Sequence, residues 1–476
     1  MIQMRPTRRV LLVFSLLLRW MPYVGSSTPS ALSSNQHSFA HELTKALYSH
    51  KNECTSSLGI SMSFSLIYPG GDVTAQEQMQ RVFGYPSDES HRRLVWNETQ
   101  HRLVGKYDDN CAYTEDSLQQ QENSACEIQK ATLKIANRVY LADSFIVGDN
   151  FRELLGPYIF QMNFDSGDAG SVVNNWVSQS TRGLVETIVP DGPMTGVLLI
   201  ALNAIYLKAS WMHQFAKEMT NVDSFYESIA RSTALPSKVN FMHTVNNFPY
   251  SDTAVPNHQI LQMRFQDATM SMIMALPTKG NVRDVDFRDI RKGLAGMENT
   301  KVAVALPKFK FESVYDENLM SSLKKIGLTA PFERGLCFGG EGGCIAKVTK
   351  VIQKTVIDVN EEGVEAAAAS AVVVDRSAPP PDVPVLFLAD HPFQFFIYEH
   401  EEDLVLIEGR VSDPGISYDV QEPALDAKHD DPDFWIDSFN VDPKSPKDDS
   451  SAIFRSTMSN YFVVVVITAI FVRSQL

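Results

Sequence analysis

The 476-residue chain lacks the sequence motifs of the common enzyme classes. It contains no G-x-S-x-G, no H-E-x-x-H and no lysine-bearing phosphate loop, and its glycine-rich stretch FGGEGGC lacks the G-x-G-x-x-G spacing. Its histidines show no metal-ligand spacing, and no C-x-x-C pair is present. Counting residues cannot exclude a catalytic triad, but nothing selects one. We therefore expect a protein that is not an enzyme and has no cofactor or metal site.

The chain is also short of positive charge. Its 42 lysines and arginines are outnumbered by 57 aspartates and glutamates, which gives a net charge of −15. Because phosphate binding requires clustered basic side chains, we expect no nucleic acid partner. The content of 44% hydrophobic and 21% charged residues is typical of a globular protein with a large core.

No hydrophobic run is long enough for a conventional membrane-spanning helix. The run Tyr461 to Val472 would span about 18 Å, whereas a bilayer core is about 30 Å thick. Small residues at Ser450 to Ala452, a short spacer and this run occur in the order of a glycolipid-anchor signal. A directly inserted tail and a hydrophobic terminus without a membrane role are the alternatives. We expect residues 450–476 to be an anchor signal or membrane tail, and the acidic, proline-containing residues 415–449 to be a solvated tether.

The N-terminus has the features of a secretory signal. Three arginines in the first nine residues precede a short apolar run, Val10 to Leu18, and small residues at Val24 to Ser26 offer a cleavage site. An uncleaved short anchor is the alternative. Residues 1–26 therefore predict an extracellular protein, either secreted or anchored to the cell surface, and Asn97 in Asn-Glu-Thr is a potential glycosylation site.

Cysteine is scarce, with five in the chain. Cys111 and Cys126 flank a polar insert, and Cys337 and Cys344 flank the glycine-rich loop. Secretion permits disulfides, and either pair could close locally, but the sequence does not fix the connectivity. Cys54 would be left over.

Helical and strand-like segments are mixed without regular alternation, which favours an α+β fold. One helix is predicted over Ser38 to His50, and another after Thr74, a possible N-cap with Glu77 three residues later. The strand-like segments are Met270–Leu276, Val302–Phe311 and Val351–Val359.

One stretch, EEGVEAAAASAVVVDRSAPPP at residues 361–381, suits no single local structure. Ala366 to Ala369 favour a helix, Val372 to Val374 favour a strand, and Pro379 to Pro381 favour an extended, exposed segment. Such a stretch is either disordered or must adopt two conformations.

Five segments of the chain occur in a characteristic order: LKIANRVYLADSF, NNWVSQSTRGLVETIVP, LNAIYLKASWMHQF, LPKFKFESVYDENLMSSLKKIGL and FLADHPFQFFIYEHEEDLVLIEGRVSDP. In these motifs the chain resembles the serpin family, over residues 36–414. The resemblance implies one α+β domain with three β-sheets, eight or nine helices and an exposed reactive-centre loop. It also implies a monomeric inhibitor that forms a covalent acyl complex with its target serine protease while the loop inserts into the main sheet.

Residues 361–381, which suit no single local structure, lie where serpins carry the hinge of the reactive-centre loop. The expected hinge residues are Glu361, Glu362, Gly363, Val364, Glu365, Ala366, Ala367, Ala368 and Ala369. Small side chains suit a strand that enters a packed sheet. Inhibitory members usually have threonine or serine where this chain has Val364, so a non-inhibitory carrier or storage-type serpin is the alternative.

Two arguments about the cleaved bond differ by one residue. The family's usual spacing from Gly363 places the cut between Ser377 and Ala378, which would suit an elastase-like protease. Chemistry favours Arg376–Ser377, because Arg376 is the only basic residue between the hinge and the signature strand and trypsin-like pockets require a cation. We favour Arg376–Ser377 and trypsin-like targets.

The resemblance also identifies a sheet-opening region at Ser56, Asn203, Trp211 and Gln353. The family's S-P-x-S turn is here Ser56-Ser57-Leu58-Gly59, and Gln353 stands where many members have histidine near Asn203. Glutamine can still donate and accept hydrogen bonds. The polar insert lies near a helix that binds heparin in some members, but it is acidic here, so we expect no glycosaminoglycan site.

Overall fold

The computed structural model describes residues 31–49, 51–86, 99, 103, 131–230, 236–266, 269–279, 284–339, 344–364 and 383–415. Several predicted features lie outside these residues: the signal, the tether, the tail, Asn97, Cys111, Cys126, Glu365 to Ala369, Arg376, Ser377 and Ala378. In the part of the chain that is described, no helix is long and apolar enough to cross a membrane.

The described residues form eight α-helices. They are α1 (Ala31–Leu47), α2 (Ser57–Ile67), α3 (Val73–Phe83), α4 (Asp149–Leu155), α5 (Ala169–Ser180), α6 (Phe287–Leu294), α7 (Glu317–Lys325) and α8 (Ala330–Glu333).

Seventeen strands complete the described fold. They are β1 (Glu53–Thr55), β2 (Ala131–Ala142), β3 (Ile159–Met162), β4 (Leu199–Ser210), β5 (Asn221–Phe225), β6 (Ser237–Ser251), β7 (His258–Arg264), β8 (Met270–Pro277), β9 (Glu298–Pro307), β10 (Phe309–Tyr315), β11 (Leu336–Cys337), β12 (Cys344–Ala346), β13 (Lys350–Val359), β14 (Gly363–Val364), β15 (Val385–Leu388), β16 (Phe393–Glu399) and β17 (Leu404–Val411). A nine-stranded sheet has the order β1-β17-β16-β8-β7-β6-β9-β15, with β5 on β6. A six-stranded sheet has the order β10-β13-β14-β4-β2-β3, and β11 and β12 form a two-stranded sheet.

The centre of the six-stranded sheet is a parallel pair that matters for function. Strands β13 and β4 pair from Lys350 opposite Ile200 to Val356 opposite Tyr206. We call this pairing the seam. Beyond it, β14 lies between the same two strands, with Gly363 opposite Ser210 and Val364 opposite Ala209.

The six-stranded sheet is covered on both faces. Helix α2 is almost wholly buried because its sequence SLGISMSFSLI is apolar or small all round, and it packs against β2, β4 and β17. On the other face, Val173 and Val177 of α5 pack against Tyr140 and Leu202. A strand that entered the seam would therefore be buried on both sides.

Three predicted boundaries were wrong. Helix α1 begins at Ala31 rather than Ser38. The N-cap of α3 is Asp72 rather than Thr74, since the Asp72 carboxylate accepts from the Ala75 N–H at 2.8 Å. The predicted strand Val302–Phe311 is two strands, which Lys308 separates, because β9 ends at Pro307 in one sheet and β10 begins in another.

Candidate functional site

The middle of the seam is joined by a row of three buried amides. Gln353 lies opposite Asn203 in the β13–β4 pair, and Asn203 lies opposite Asn137 in the β4–β2 pair. Gln353 Nε2 donates to Asn203 Oδ1 at 2.8 Å, and Asn203 Nδ2 donates to Asn137 Oδ1 at 2.8 Å. We call these three residues the amide latch. It links three strands in a region closed to water.

The latch is also tied to the turn between β1 and α2. Gln353 Oε1 accepts from the Thr55 hydroxyl at 2.5 Å and from the Ser56 N–H at 3.2 Å. Its Nε2 also donates to the Ser56 carbonyl at 2.7 Å. Gln353 therefore uses both ends of its amide to hold β13 against this turn. Of the four hydrogen bonds of the Gln353 amide, the one to Asn203 crosses the seam, and separation of β13 from β4 would break it.

Gly59 stands where the family's turn has its second serine, and its lack of a side chain leaves room for Asn203. Its N–H donates to Ser56 Oγ at 3.1 Å, which caps α2. A Cβ at this position would lie 2.4 Å from Asn203 Oδ1, so a side chain here would displace the latch.

The expected hinge begins beyond the Val356–Tyr206 end of the seam, where β14 lies between β13 and β4. Gly363 has φ of +150°, and a Cβ there would lie 2.1 Å from the Ala209 carbonyl oxygen. Only glycine fits such a backbone conformation and approach. Trp211 N donates to the Glu362 carbonyl at 2.9 Å, and Trp211 Nε1 donates to the Asn360 carbonyl at 3.0 Å. Buried Trp211 therefore fixes the path of the chain into the hinge.

Two glutamates of the hinge are held by neighbouring elements. Buried Glu361 accepts from Thr220 Oγ1 at 2.8 Å and lies 3.0 Å from Lys308 Nζ. Glu362 lies 2.7 Å from Lys217 Nζ. We call these contacts the hinge clamp.

The contacts of the clamp favour the ionised form of Glu361. Burial alone would raise the pKa of Glu361, but hydrogen bonds from its own N–H, Thr220 and Lys308 outweigh burial and lower it. The hydrogen bond to Glu362 raises the pKa of Lys217. Since Lys217 is exposed, its ion pair contributes little to stability.

The predicted sheet-opening residues thus fall into two places. Gln353 contacts both Asn203 and Ser56, so these three predicted residues lie together at the latch and the turn beside it. Trp211 lies apart from them, at the hinge. Sequence reasoning missed the residues that hold these two places from other elements. They are Thr55, Asn137, Lys217, Thr220 and Lys308.

The cysteines agree in part with expectation. Cys54 is a buried free cysteine on β1. Cys337 lies directly opposite Cys344 in the β11–β12 pair, so the backbone brings the two predicted partners together. The pairing of Cys111 with Cys126 stays a prediction.

Comparisons with known proteins agree with this architecture. The family model "Serpin (serine protease inhibitor)" matches residues 34–414. An uncharacterized serpin-like protein of Thermococcus kodakarensis is 30% identical over 388 residues, which cover 79% of this chain and 84% of the relative. Antichymotrypsin-2 of Bombyx mori is 28% identical over 325 residues, or 65% of this chain and 82% of the relative.

A solved structure shows the same fold. Human thyroxine-binding globulin superposes with a TM-score of 0.65 at 20% identity, covering 80% of this chain and 98% of that protein. The family model spans most of the chain and includes both the latch and the hinge. The chain belongs to the serpin family.

Proposed function

We propose that this protein is a serine protease inhibitor that acts once per molecule by inserting its reactive-centre loop into the seam. The observation that carries the proposal is the position of Gly363 and Val364, which already lie between β13 and β4. The next residues of the loop would continue between the same two strands once the seam opened. The amide latch lies across that path.

The chemistry of the loop suits this role. The protease would attack the bait bond and become acyl-linked, and the upstream half of the loop would then insert and carry the protease with it. Ala366 to Ala369 are small enough to enter between packed strands, and Val372 to Val374 favour the strand that results. Pro379 to Pro381 lie beyond the bait bond and need not enter the sheet.

A protease panel with matched variants tests the mechanism. Incubation with trypsin-, chymotrypsin- and elastase-like proteases should give an SDS-stable complex near 1:1 with at least one of them. Val364→Arg and Ala367→Glu should convert the inhibitor into a substrate that is cut without complex, since each places a charge in a buried strand. Val383→Arg is the control, because Val383 is exposed and lies beyond the bait bond. Unchanged inhibition by both hinge variants would refute insertion.

The bait bond is proposed to be Arg376–Ser377, with trypsin-like targets. Asp375 beside it would restrict which of these proteases accept the loop, through charge mismatch. Mass spectrometry of the small C-terminal fragment from the denatured complex tests this choice. A fragment that starts at Ser377 supports it, and one that starts at Ala378 identifies the elastase-like bond instead.

A non-inhibitory serpin is the second candidate. Val364 at the hinge and the serpin fold of thyroxine-binding globulin are the observations that favour it. If every protease merely cuts the loop, or ignores it, this alternative replaces inhibition.

The location is proposed from the sequence alone. We propose that the mature protein is extracellular and is held at a membrane by its C-terminal tail, with residues 415–449 as the spacer. Release from intact cells by a phospholipase that cuts glycolipid anchors would support this. Protein found wholly in the medium without treatment would show simple secretion, and protein that resists release would show a directly inserted tail.

A further inference from the structure

A buried acid lies next to the latch and has no part in the mechanism described so far. Glu408 on β17 is 3% exposed, and its Oε1 has no hydrogen-bond partner among the described residues. A carboxyl in such a place is costly to ionise. Burial raises the pKa of Glu408 to about 8, although a contact with Ser57 opposes the rise.

Glu408 contacts the turn that holds Gln353. Strand β17 pairs with β1 so that Glu408 lies directly opposite Thr55, whose hydroxyl donates to Gln353. The Ser57 hydroxyl, at the start of α2, reaches the Glu408 carboxyl. Glu408 thus lies beside the turn whose Thr55 and Ser56 bind Gln353, with its carboxyl on Ser57 and its backbone opposite Thr55.

Among the residues that the structure describes, no lysine or arginine acts on the Glu408 carboxyl. Arg410 on the same strand is paired with Asp284. Asp286 adds negative charge that raises the pKa of Glu408 further, and the pKa of Glu53 on β1 is itself raised, chiefly by burial.

The remaining titratable neighbours stay uncharged near neutral pH. Burial raises the pKa values of Tyr48 and Tyr315 well above 10 and that of Cys54 to about 12. Compared with Tyr48, Tyr315 and Cys54, Glu408 is therefore the group whose charge changes near neutral pH.

We propose that Glu408 is a positioning residue that makes the latch sensitive to pH. The uncharged carboxyl keeps the β1–α2 turn packed on β17 and so keeps Thr55 and Ser56 on Gln353. Ionisation draws water to the carboxyl and loosens the turn, which weakens the hold of β13 on β4. The inference rests on the proposed function and concerns the regulation of its site: the seam opens more readily in alkaline surroundings.

The direction follows from proton linkage. An acid whose pKa is raised in the closed form stabilises that form fully below its ordinary pKa of 4.5. This stabilisation is lost as the pH rises through about 8. If the opened turn exposes the carboxyl to water, opening becomes easier by at most about tenfold per pH unit within this window.

Annealing of a synthetic peptide tests the proposal without a protease. A peptide copy of residues 364–376 is mixed with the full chain between pH 5 and pH 9, and its insertion is followed as a rise in melting temperature. The wild-type rate divided by the Glu408→Gln rate should increase with pH up to about 8 and then level off. Glu298→Gln, an exposed glutamate on β9, is the matched control and should follow the wild type.

A second variant separates positioning from a merely structural role. Ser57→Ala removes the contact that lowers the pKa of Glu408, so its pH profile should shift to higher pH. The melting temperature of wild type minus that of Glu408→Gln should fall over the same pH range, whether or not the peptide anneals. A difference that does not depend on pH, or a Ser57→Ala profile that does not move, would overturn the proposal.

The outcomes of these measurements distinguish a failure of the proposed role of Glu408 from a failure of the proposed inhibitory function. A pH-dependent seam without any SDS-stable protease complex would refute inhibition and leave the role of Glu408 standing. Inhibition together with identical pH profiles for wild type and Glu408→Gln would support the inhibitory function and refute the role of Glu408. If Glu408→Gln does not fold, the shift expected for Ser57→Ala decides alone.

Discussion

Replacement of Gln353 by leucine should weaken the closed seam more than any other single change at the latch. Leucine is similar in size to glutamine but has no polar atoms. Four hydrogen bonds end at the Gln353 amide, two at Oε1 and two at Nε2. The substitution would leave the Thr55 hydroxyl, the Ser56 backbone and Asn203 Oδ1 buried with fewer partners.

The size of the effect follows from these four bonds. Each contributes about 1 kcal/mol net, and the buried groups left unpaired cost about 1–3 kcal/mol each. We expect a loss of about 4 kcal/mol in the free energy of unfolding. With a melting entropy of about 2.1 cal/mol/K per residue, this corresponds to a fall of roughly 5 °C in melting temperature for a domain of this size.

Calorimetry and peptide annealing would check this estimate. Gln353→Leu should melt lower and anneal the loop peptide faster than wild type. Gln161→Leu is the control, because half-buried Gln161 lies on the edge strand β3 and has no contact with the seam. If Gln353→Leu and Gln161→Leu behave alike, the hydrogen bonds of the latch do not hold the seam closed.

Three further predictions concern the hinge and the core. Glu361→Gln should remove part of the acid sensitivity of the melting temperature: because the pKa of Glu361 is lowered, its stabilisation is present above pH 4.5 and is lost as the pH falls through the folded value. Gly363→Ala should destabilise the protein by about 1–3 kcal/mol more than Gly192→Ala in calorimetry, since both have positive φ but only Gly363 approaches a carbonyl oxygen. Cys54 should resist iodoacetamide at pH 8 until the protein is denatured, because burial raises the pKa of its thiol to about 12.

Much of the fold could be predicted from sequence, and the misses have physical causes. Strand β8 was found because its run is mostly apolar, and β13 because it is rich in the β-branched residues valine, isoleucine and threonine. The start of α1 was missed because Ser33 to His37 are polar, and the buried ones among them are covered by elements distant in the sequence. Ser33 donates to Asp403 at 2.8 Å, and Gln36 donates to the Phe83 carbonyl at 2.8 Å. Such long-range contacts leave no local pattern.

The site divides in the same way. The contact of Gln353 with Asn203 could be predicted because Asn203 lies in a family motif and Gln353 stands where many members have a histidine near that asparagine. The hinge clamp could not, because the pairing of Lys308 and Lys217 with the two glutamates and the contact of Thr220 join segments that are distant in the chain. The role of Glu408 could not be predicted either. Its place in a mostly apolar strand predicts burial, but it does not predict that the residue lies beside the β1–α2 turn.

The closed seam has fewer backbone hydrogen bonds than the form with an inserted strand. It must therefore persist because a kinetic barrier opposes its opening. The seam is one ladder between β13 and β4, whereas an inserted strand would form two ladders, one with each of them. Each added bond contributes about 1 kcal/mol, so backbone pairing alone favours insertion. What opposes it is the cost of first separating the strands. That cost includes the latch at Gln353 and the tie from Lys354 Nζ to the Thr187 carbonyl at 3.0 Å, which fastens the segment after α5 to β13. Substitutions along β13 should therefore change the rate of peptide annealing more than the melting temperature of the annealed form.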